Sequence, residues 1–574
     1  GSLPAEDVPG LSAAIKPLRA TYRSAMAKLI DQRQTLAAPL YDAYDRALAA
    51  YQDELTRATQ LDEAARIKAV RAHVASLREA SGKPLASPGA PTVATVSPPG
   101  LGVGDKADAV AVPVAPPLPA SQVLPPLPKA SQDDIRALVD WMFRVKDNWI
   151  SVAEGPVSRQ IRQSADLPRG NLKVVGLNLN LDNLAEDPEI PKYLATVGGL
   201  TDLEDLRLSF SRYSKGPLAL ETLRGLTKLK ALTLSGLFDD SGFPHLIGLK
   251  ALTDVRILGR GFTGTGLGYL GTGIETLDFT GETHLTAEGL AYLPRFQKLR
   301  ILKCGQCPNL RDEMLGSLGY LPELETFEVH QTAVDGSFLT HLAGHPKLKS
   351  LTMHSTPKFQ PDHLVHLGSL KSLESVTLPP LDPPAEVLAS LAKIGNLSSL
   401  QFSPPFNGES LAGVTGFRAL TSLRILDCPI SNAGWAAIAE AMPELKSIQF
   451  SRPKDSKAPE SFAAMGEHLG RLKNLTFVEA GSSGITDDWM TAIGRLKGLT
   501  SFHVSSPLVT DAGLLQIRDL PLTALRINGT AITDASVPTL KGFPNLISGY
   551  IYFPSGMSPA GIAEVKDYLD NQKK

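Results

Sequence analysis

A short pattern of leucines repeats along most of the chain and limits the folds that it can adopt. The unit L-x-x-L-x-L recurs at intervals of about 24 residues from residue 172 onward. Clear copies begin at Leu203, Leu229, Leu299, Leu348, Leu420 and Leu522. Degenerate copies begin at Leu172, Leu252, Ile274, Leu324, Leu373, Leu397, Leu445, Leu475, Leu499 and Leu546. A unit of this length cannot bury its own apolar side, so neighbouring units must stack into one continuous core. The repeat predicts one long solenoid, rather than the roughly four domains that 574 residues suggest.

The second half of each unit carries helix start signals. Thr486-Asp487, Thr510-Asp511 and Thr533-Asp534 each follow a predicted strand and precede a further apolar stretch. Thr and Asp are favoured where a helix begins, because their oxygens accept hydrogen bonds from free backbone amides. Each unit is therefore predicted to be a short strand, a turn and a short helix.

The complete motif, L-x-x-L-x-L followed by T-x-I-T-D, resembles the leucine-rich repeats of exported proteins in planctomycete-type bacteria. It is also similar to the repeats of eukaryotic F-box substrate receptors, although nothing in residues 1–131 resembles an F-box. The resemblance covers about 400 residues. It implies an α/β solenoid, a leucine-rich repeat horseshoe of about sixteen repeats over residues 171–574, with strands on the concave side. It also implies a non-enzymatic binding protein that is exported to the periplasm, the cell surface or the medium.

Three segments precede the repeats. Residues 132–170 resemble the N-terminal cap of those bacterial proteins, with an amphipathic helix followed by two short strands around Glu154-Gly155. Residues 83–131 contain twelve prolines and show no periodicity, which predicts a semi-stiff linker. Residues 1–82 carry apolar stripes at helical spacing over 10–81. They predict either a helical hairpin or a coiled coil through which the chain self-associates.

Composition excludes several function classes. Lys and Arg number 57 and Asp and Glu 59, a net charge of −2, which argues against nucleic acid as the main partner. No apolar run is long enough to span a bilayer. The chain begins with Gly1-Ser2 instead of Met, which is typical of an expression scar, so we expect any signal peptide or membrane anchor to lie upstream of this sequence.

The cysteines and glycines offer motifs that the repeat frame explains otherwise. Cys304 and Cys307 form C-x-x-C, but the frame places Cys304, Cys307 and Cys428 at interior positions, which predicts three buried structural residues. Glycines 259, 261 and 264 spell the dinucleotide fingerprint G-x-G-x-x-G. That run lies inside one repeat, where no doubly wound sheet can form. We therefore predict no cofactor and no catalytic residue.

Histidines cluster between residues 330 and 366. The frame places His330 and His354 at the same position of adjacent strands, ~4.8 Å apart, with Glu328 nearby. One interpretation is ordinary variation at exposed positions. The other is a metal-binding or pH-sensitive site formed by His330, His354 and Glu328.

The outward strand positions predict where a partner binds. Position 5 of the frame, between the second and third leucines, carries mixed charges and small polar residues, which suits a protein or a glycan. A first candidate surface consists of Asp278, Lys303, Glu328, His330 and His354. A second consists of Arg424, Gln449 and Arg452, beside an insertion at 452–457. The predicted function is a binding scaffold; the alternative is a binding subunit that serves a catalytic domain encoded separately or upstream.

Overall fold

The computed structural model describes residues 127–155, 157–182, 187–210, 216–236, 238–451, 462–481 and 484–571, together with Ala49 and residues 94–96 and 110–112. The predicted helical segment 1–82 lies outside the described residues apart from Ala49, and so does most of the predicted linker. Within the described ranges, no helix is both long enough and apolar enough to cross a membrane.

Strands and short helical segments alternate along the chain. The strands are β1 Ala94–Val96, β2 Val110–Val112, β3 Trp149–Glu154, β4 Val157–Ile161, β5 Val174–Asn180, β6 Asp205–Phe210, β7 Ala231–Gly236, β8 Asp254–Gly259, β9 Thr276–Asp278, β10 Ile301–Lys303, β11 Thr326–Glu328, β12 Ser350–Thr352, β13 Ser375–Thr377, β14 Ser399–Phe402, β15 Ser422–Ile425, β16 Ser447–Ser451, β17 Phe477–Gly481, β18 Ser501–Ser505, β19 Ala524–Arg526 and β20 Ile551–Tyr552. The α-helices are α1 Gln132–Met142, α2 Ile190–Gly198, α3 Gly216–Thr222, α4 Ala287–Leu290, α5 Leu339–Leu342, α6 Ala385–Ala392, α7 Asn432–Ala441, α8 Phe462–Leu469, α9 Asp487–Ile493, α10 Asp511–Gln516, α11 Val537–Lys541 and α12 Pro559–Asn571. Turns of 3-10 helix fill other repeats, at Ser164–Asp166, Leu223–Gly225, Asp240–Leu246, Thr265–Tyr269, Leu293–Arg295, Asp312–Leu315, Leu318–Tyr320, Pro361–Ser369, Glu409–Leu411, Asp534–Ser536 and Ser548–Tyr550.

The last residues of the Pro-rich segment contact the first elements of the fold. Ser131 caps helix α1, since its hydroxyl accepts from the Asp134 amide at 3.1 Å while Asp134 accepts from the Ser131 amide at 3.3 Å. The Ala130 amide donates to the Gly199 carbonyl at 3.0 Å. The linker also contains strands β1 and β2, which pair antiparallel. These two segments lack proline and include valines and a threonine, residues that favour strands.

A small cap closes the first end of the sheet. Strands β3 and β4 form an antiparallel hairpin, and β3 pairs antiparallel with β5. Trp141 of helix α1 is fully buried, stacks on Tyr193 with ring centroids 4.5 Å apart, and donates its indole N–H to Asp187 at 2.9 Å. The cap therefore covers apolar side chains that the first repeat would otherwise expose.

From β5 to β20 every strand pairs in parallel with the next strand along the chain. No pairing joins β20 to β4 or β3 within the described ranges, so the sheet is open rather than closed into a barrel. Frame positions 1, 4 and 6 point into the core. Leu206, Leu232 and Leu423, all at position 4, are 0% exposed, as the repeat predicts.

The frame of the first repeat differs from the sequence prediction. Leu177 pairs with Leu206 across β5 and β6, so position 4 of this repeat is Leu177. Its position 1 is consequently Val174, two residues later than the predicted Leu172. Because side chains alternate along a strand, Leu177 faces the core in both frames, whereas Val175, which the predicted frame places inside, is only half-buried. The prediction was therefore correct for Leu177 but wrong in its start.

The last repeat keeps its start at Leu546 but carries two extra residues before its strand. The Ile547 amide donates to the Thr523 carbonyl at 3.1 Å, which pairs position 2 of the last two repeats, while Ile551 pairs with Leu525 and therefore occupies position 4. A 3-10 turn at Ser548–Tyr550 supplies the extra residues. Tyr552 consequently occupies position 5, on the exposed face of the sheet.

A ladder of Asp and Thr side chains joins successive helix starts. Asp511 accepts from the Thr533 amide at 2.9 Å and from the Thr533 hydroxyl at 2.8 Å in the next repeat. Asp487 accepts from the Thr510 amide and hydroxyl at 2.9 and 2.6 Å. The T-D pair thus connects neighbouring repeats: Asp accepts from the following unit, and Thr donates to the preceding one.

Candidate functional site

The exposed face of the parallel sheet presents one position-5 side chain from each strand. Register brings these side chains into a single column, ~4.8 Å between neighbours. In chain order the column reads Asn178, Arg207, Thr233, Arg256, Asp278, Lys303, Glu328, Thr352, Thr377, Gln401, Arg424, Gln449, Glu479, His503, Arg526 and Tyr552. This alignment is the main feature that would let many repeats contact one partner together.

The centre of the first candidate surface is internally paired. The Lys303 ammonium donates to Glu328 Oε1 at 2.8 Å, and these side chains are 35% and 24% exposed. Asp278 is only 9% exposed and accepts from the Thr280 amide at 3.0 Å and the Thr280 hydroxyl at 2.6 Å. The charges of this surface therefore have partners within the chain, which leaves fewer of them for a ligand.

The two histidines of the first surface lie face to face. The rings of His330 and His354 stack with centroids 4.6 Å apart and planes 8° from parallel, and the His330 ring lies against Gly305. Both Nδ1 atoms are buried and have no hydrogen-bond partner in the described part of the chain. Burial lowers the pKa of His354; the neighbouring His330 adds to this, while Glu328 opposes it.

These histidines and Glu328 do not form a ligand set. Parallel rings direct their nitrogen lone pairs along parallel lines instead of toward one point, and Glu328 is engaged with Lys303. Across residues 127–571, leaving aside the gaps given above, no group of three or more His, Cys, Asp or Glu is placed to hold a metal ion.

The second candidate surface is only partly described. Arg424 is exposed and lies beside the half-buried Gln449 in the register of β15 and β16. Arg452 and the insertion 452–457 lie outside the described residues. In this register, Arg424 and Gln449 are neighbours on the exposed sheet face.

The cysteines are buried, as the frame predicts. Cys304, Cys307 and Cys428 are all free and at most 1% exposed. Burial raises the pKa of Cys307 and of Cys428 to about 12, so neither forms the thiolate that a nucleophile or metal ligand requires. Cys307 Sγ donates to the Phe279 carbonyl at 3.2 Å, which is a structural contact.

The glycine-rich run surrounds a carboxylate that belongs to the chain. Glu282 is 1% exposed, and its Oε1 accepts from the Gly259 amide at 2.8 Å. A side chain on Gly259 would collide with the Gly236 carbonyl, and Gly261 adopts a φ of 138° that favours glycine. The loop therefore accommodates an internal anion where a nucleotide-binding loop would hold phosphate.

Burial raises the pKa of Glu282 to about 7, and the charge of Asp240 acts in the same direction. Hydrogen bonds from the backbone amides of Gly259, Gly261 and Phe262 lower the pKa of Glu282, but burial has the larger effect. Glu282 Oε2 has no hydrogen-bond partner among the described residues. Sequence reasoning missed Glu282. Its frame position was a usable signal, because Glu282 occupies position 9, which later repeats fill with the buried Cys307 and Thr332.

Sequence reasoning also missed an aromatic cluster at the C-terminal end of the sheet. The Arg526 guanidinium lies 4.1 Å from the centre of the Tyr552 ring. One strand earlier, His503 contacts Phe477 edge to face, with centroids 5.0 Å apart. The signal was hidden because the frame assigned from Leu546 left Tyr552 out of the column.

Comparisons with known proteins leave the function open. No family model matches the sequence, and no characterised protein matches it. A leucine-rich repeat protein of Leptospira interrogans shares 15% identity over 68% of this chain and 98% of its own, with a TM-score of 0.36. An internalin of Listeria monocytogenes shares 14% identity over 74% of this chain and 96% of its own, with a TM-score of 0.32.

The strand register and the buried leucines decide the architecture on their own. The fold is a leucine-rich repeat solenoid. Its parallel sheet has one buried face and one exposed face, so side chains at position 5 are the ones that many repeats present together.

Proposed function

We propose that this chain is a non-enzymatic binding scaffold whose exposed sheet face recognises a protein partner. The observation that carries the proposal is the position-5 column, in which side chains from consecutive strands point the same way in register. An extended surface of this kind collects many small contacts without requiring any catalytic group.

The chemistry of the column favours a protein over other partners. Charged, amide and hydroxyl side chains follow one another without a continuous basic stripe, which nucleic acid would require. A glycan is the second candidate partner, supported by the exposed Tyr552 ring, which is 53% exposed and can stack on a sugar.

The non-enzymatic assignment is supported by the state of the reactive side chains. The thiols of Cys307 and Cys428 are buried with pKa values raised to about 12, and Glu282 is sealed inside the core. We further propose an exported location, from the resemblance of the repeat motif. The alternative function, a binding subunit for a catalytic domain encoded separately or upstream, uses the same sheet face.

Photo-crosslinking with the full chain tests the proposal. The photoreactive residue p-benzoylphenylalanine replaces Thr352 or Thr377 on the sheet face. In the control protein it replaces Lys393, which is exposed and follows helix α6. Each protein is irradiated in envelope extract of the source cells. We expect discrete protein adducts from the sheet-face positions and none of the same mass from Lys393, because only the sheet face would contact the partner.

Three results would contradict the proposal. Identical adducts from both sides would mean that the sheet face is not selective. Adducts only from Lys393 would place recognition on the helical side. Adducts that glycosidase treatment removes would identify the partner as a glycan.

A further inference from the structure

The C-terminal end of the exposed sheet face combines an arginine with aromatic rings. Arg526 is exposed at position 5 of β19, and its guanidinium lies 4.1 Å from the centre of the Tyr552 ring on β20. Such a contact holds a guanidinium in a limited set of orientations while leaving its N–H groups at the edge accessible.

Other aromatic side chains lie at the same end of the sheet. Tyr552 and Tyr550 are 53% and 60% exposed, which is unusual for aromatic side chains. Phe477 and His503 pack edge to face on the two preceding strands. We call Phe477, His503, Arg526, Tyr550 and Tyr552 the C-terminal aromatic surface. Tyr and Arg are the residue types that dominate the binding energy of protein interfaces.

Arg526 forms no ion pair with any described residue, unlike Arg207 and Lys303 of the same column, and it lies against the exposed Tyr552 ring. Arg207 lies 3.5 Å from Asp205, and Lys303 is bonded to Glu328. The nearest carboxylate along the column from Arg526 is Glu479, two strands and ~10 Å away.

The groups that face Arg526 do not neutralise it. Glu479 lies 3.9 Å from His503. Burial lowers the pKa of His503, and the positive charge of Arg526 lowers it further, while Glu479 opposes the shift. His503 is therefore largely uncharged at neutral pH. A carboxylate supplied from outside would give Arg526 the bidentate partner that the chain itself does not provide.

We propose that the C-terminal aromatic surface binds an acidic peptide segment of a protein partner, in which a carboxylate is flanked by apolar or aromatic side chains. The carboxylate pairs with Arg526, and the apolar side chains pack on Tyr552, Tyr550 and Phe477. This inference rests on the proposed function and specifies where the partner binds and what chemistry it carries.

A pair of labelled peptides tests the charge requirement. The probe is a fluorescein-labelled peptide of four Gly-Glu-Phe units, and its counterpart has Lys in place of every Glu. Binding to the full chain is followed by fluorescence anisotropy at low and at physiological salt. We expect saturable binding of the Glu peptide, weakening with salt because an ion pair contributes, and at least about tenfold weaker binding of the Lys peptide.

Four variants locate the contact. Arg526→Ala and Tyr552→Ala are each expected to weaken binding of the Glu peptide by about tenfold or more. Arg526→Lys should recover only part of the affinity, because an ammonium cannot form the bidentate pair. The matched control is Arg495→Ala, an exposed arginine that follows helix α9 and lies outside the position-5 column, which should leave affinity unchanged. Thermal unfolding of each variant confirms folding.

Defined outcomes overturn the inference. Equal affinity for the two peptides would exclude charge recognition, and equal losses of affinity in Arg495→Ala and Arg526→Ala would indicate attraction by the overall charge of the protein rather than a defined contact. Binding of an oligogalacturonate that depends on Arg526, with no binding of the peptide, would make this a glycan site. If the Glu peptide does not bind while the sheet-face crosslinks form, the inference is wrong and the proposed function stands. If the same crosslinks form equally from Lys393, the proposed function itself is wrong.

Discussion

The substitution Glu282→Gln tests whether a buried carboxyl group makes the stability of the central repeats depend on pH. The side chain is 1% exposed, and burial raises its pKa from 4.5 to about 7. Gln has nearly the same shape and keeps the oxygen that accepts from the Gly259 amide, but it has no charge to bury. The substitution therefore removes the titration while preserving the packing.

The sign follows from the raised pKa of Glu282. Between pH 4.5 and about 7 the folded protein binds this proton more tightly than the unfolded chain does. The stability that it contributes is therefore fully present below pH 4.5 and is lost as the pH rises through about 7. At about 1.4 kcal/mol per pH unit, the loss amounts to about 3 kcal/mol. The free energy of unfolding of the variant should equal that of the wild type at about pH 5. It should exceed that of the wild type by up to about 3 kcal/mol at about pH 8.

Hydrogen–deuterium exchange of peptides covering β8 to β10 measures the local free energy of opening around Glu282. A local measurement suits a solenoid, because distant repeats open independently. Wild type and variant are compared at each pH, so that the intrinsic pH dependence of exchange cancels. The control is Glu467→Gln, because Glu467 is exposed on helix α8. A difference between Glu282→Gln and wild type that stays constant from acid to alkaline pH would refute the reasoning, since it would show that Glu282 does not change its ionisation in this range.

Three further predictions concern the core, the ladder and the central surface. Leu206→Asp places an unpaired charge at a site that is 0% exposed, so the free energy of unfolding should fall by about 3 kcal/mol or more in urea titration; a change below about 0.5 kcal/mol would contradict the frame. Asp511→Ala removes the acceptor for the Thr533 amide and hydroxyl and should cost about 1–3 kcal/mol, with exchange rising in the last repeats only. Replacing Lys303, Glu328 and His330 together with Ala should lower partner capture if the central surface is the contact, while the half-exposed Lys303–Glu328 pair contributes at most about 1 kcal/mol, so Tm should barely move; unchanged capture would favour the C-terminal aromatic surface.

The fold was predictable because the same local rule is repeated. Alternation within L-x-x-L-x-L assigns each side chain to a face, and that assignment holds for Leu206, Leu232 and Leu423. The predicted start of the first repeat is two residues early, and the last repeat carries two residues more than predicted, yet Leu177 and Ile551 face the core in both the predicted and the observed frames. The errors fall at the two ends because a terminal repeat has only one neighbour and its sequence departs from the common pattern.

The binding surface was less predictable, because its chemistry depends on pairs far apart in sequence. The sequence shows that Lys303 and Glu328 share a column, but only the structure shows that they bond to each other and that Arg526 has no such partner within the described residues. The two-residue shift in the last repeat likewise places Tyr552 beside Arg526. Neither fact can be read from residue types alone.

The sequence by itself determined the solenoid, the buried leucines and the interior cysteines, since each follows from a periodicity that one repeat already expresses. The tertiary structure alone decided which outward charges are neutralised, how the His330 and His354 rings face each other, and that the glycine-rich loop encloses Glu282. The physical reason is distance along the chain. Side chains on adjacent strands are separated by a whole repeat in sequence and by ~4.8 Å in space, so their contacts depend on register and rotamer, which no local pattern specifies.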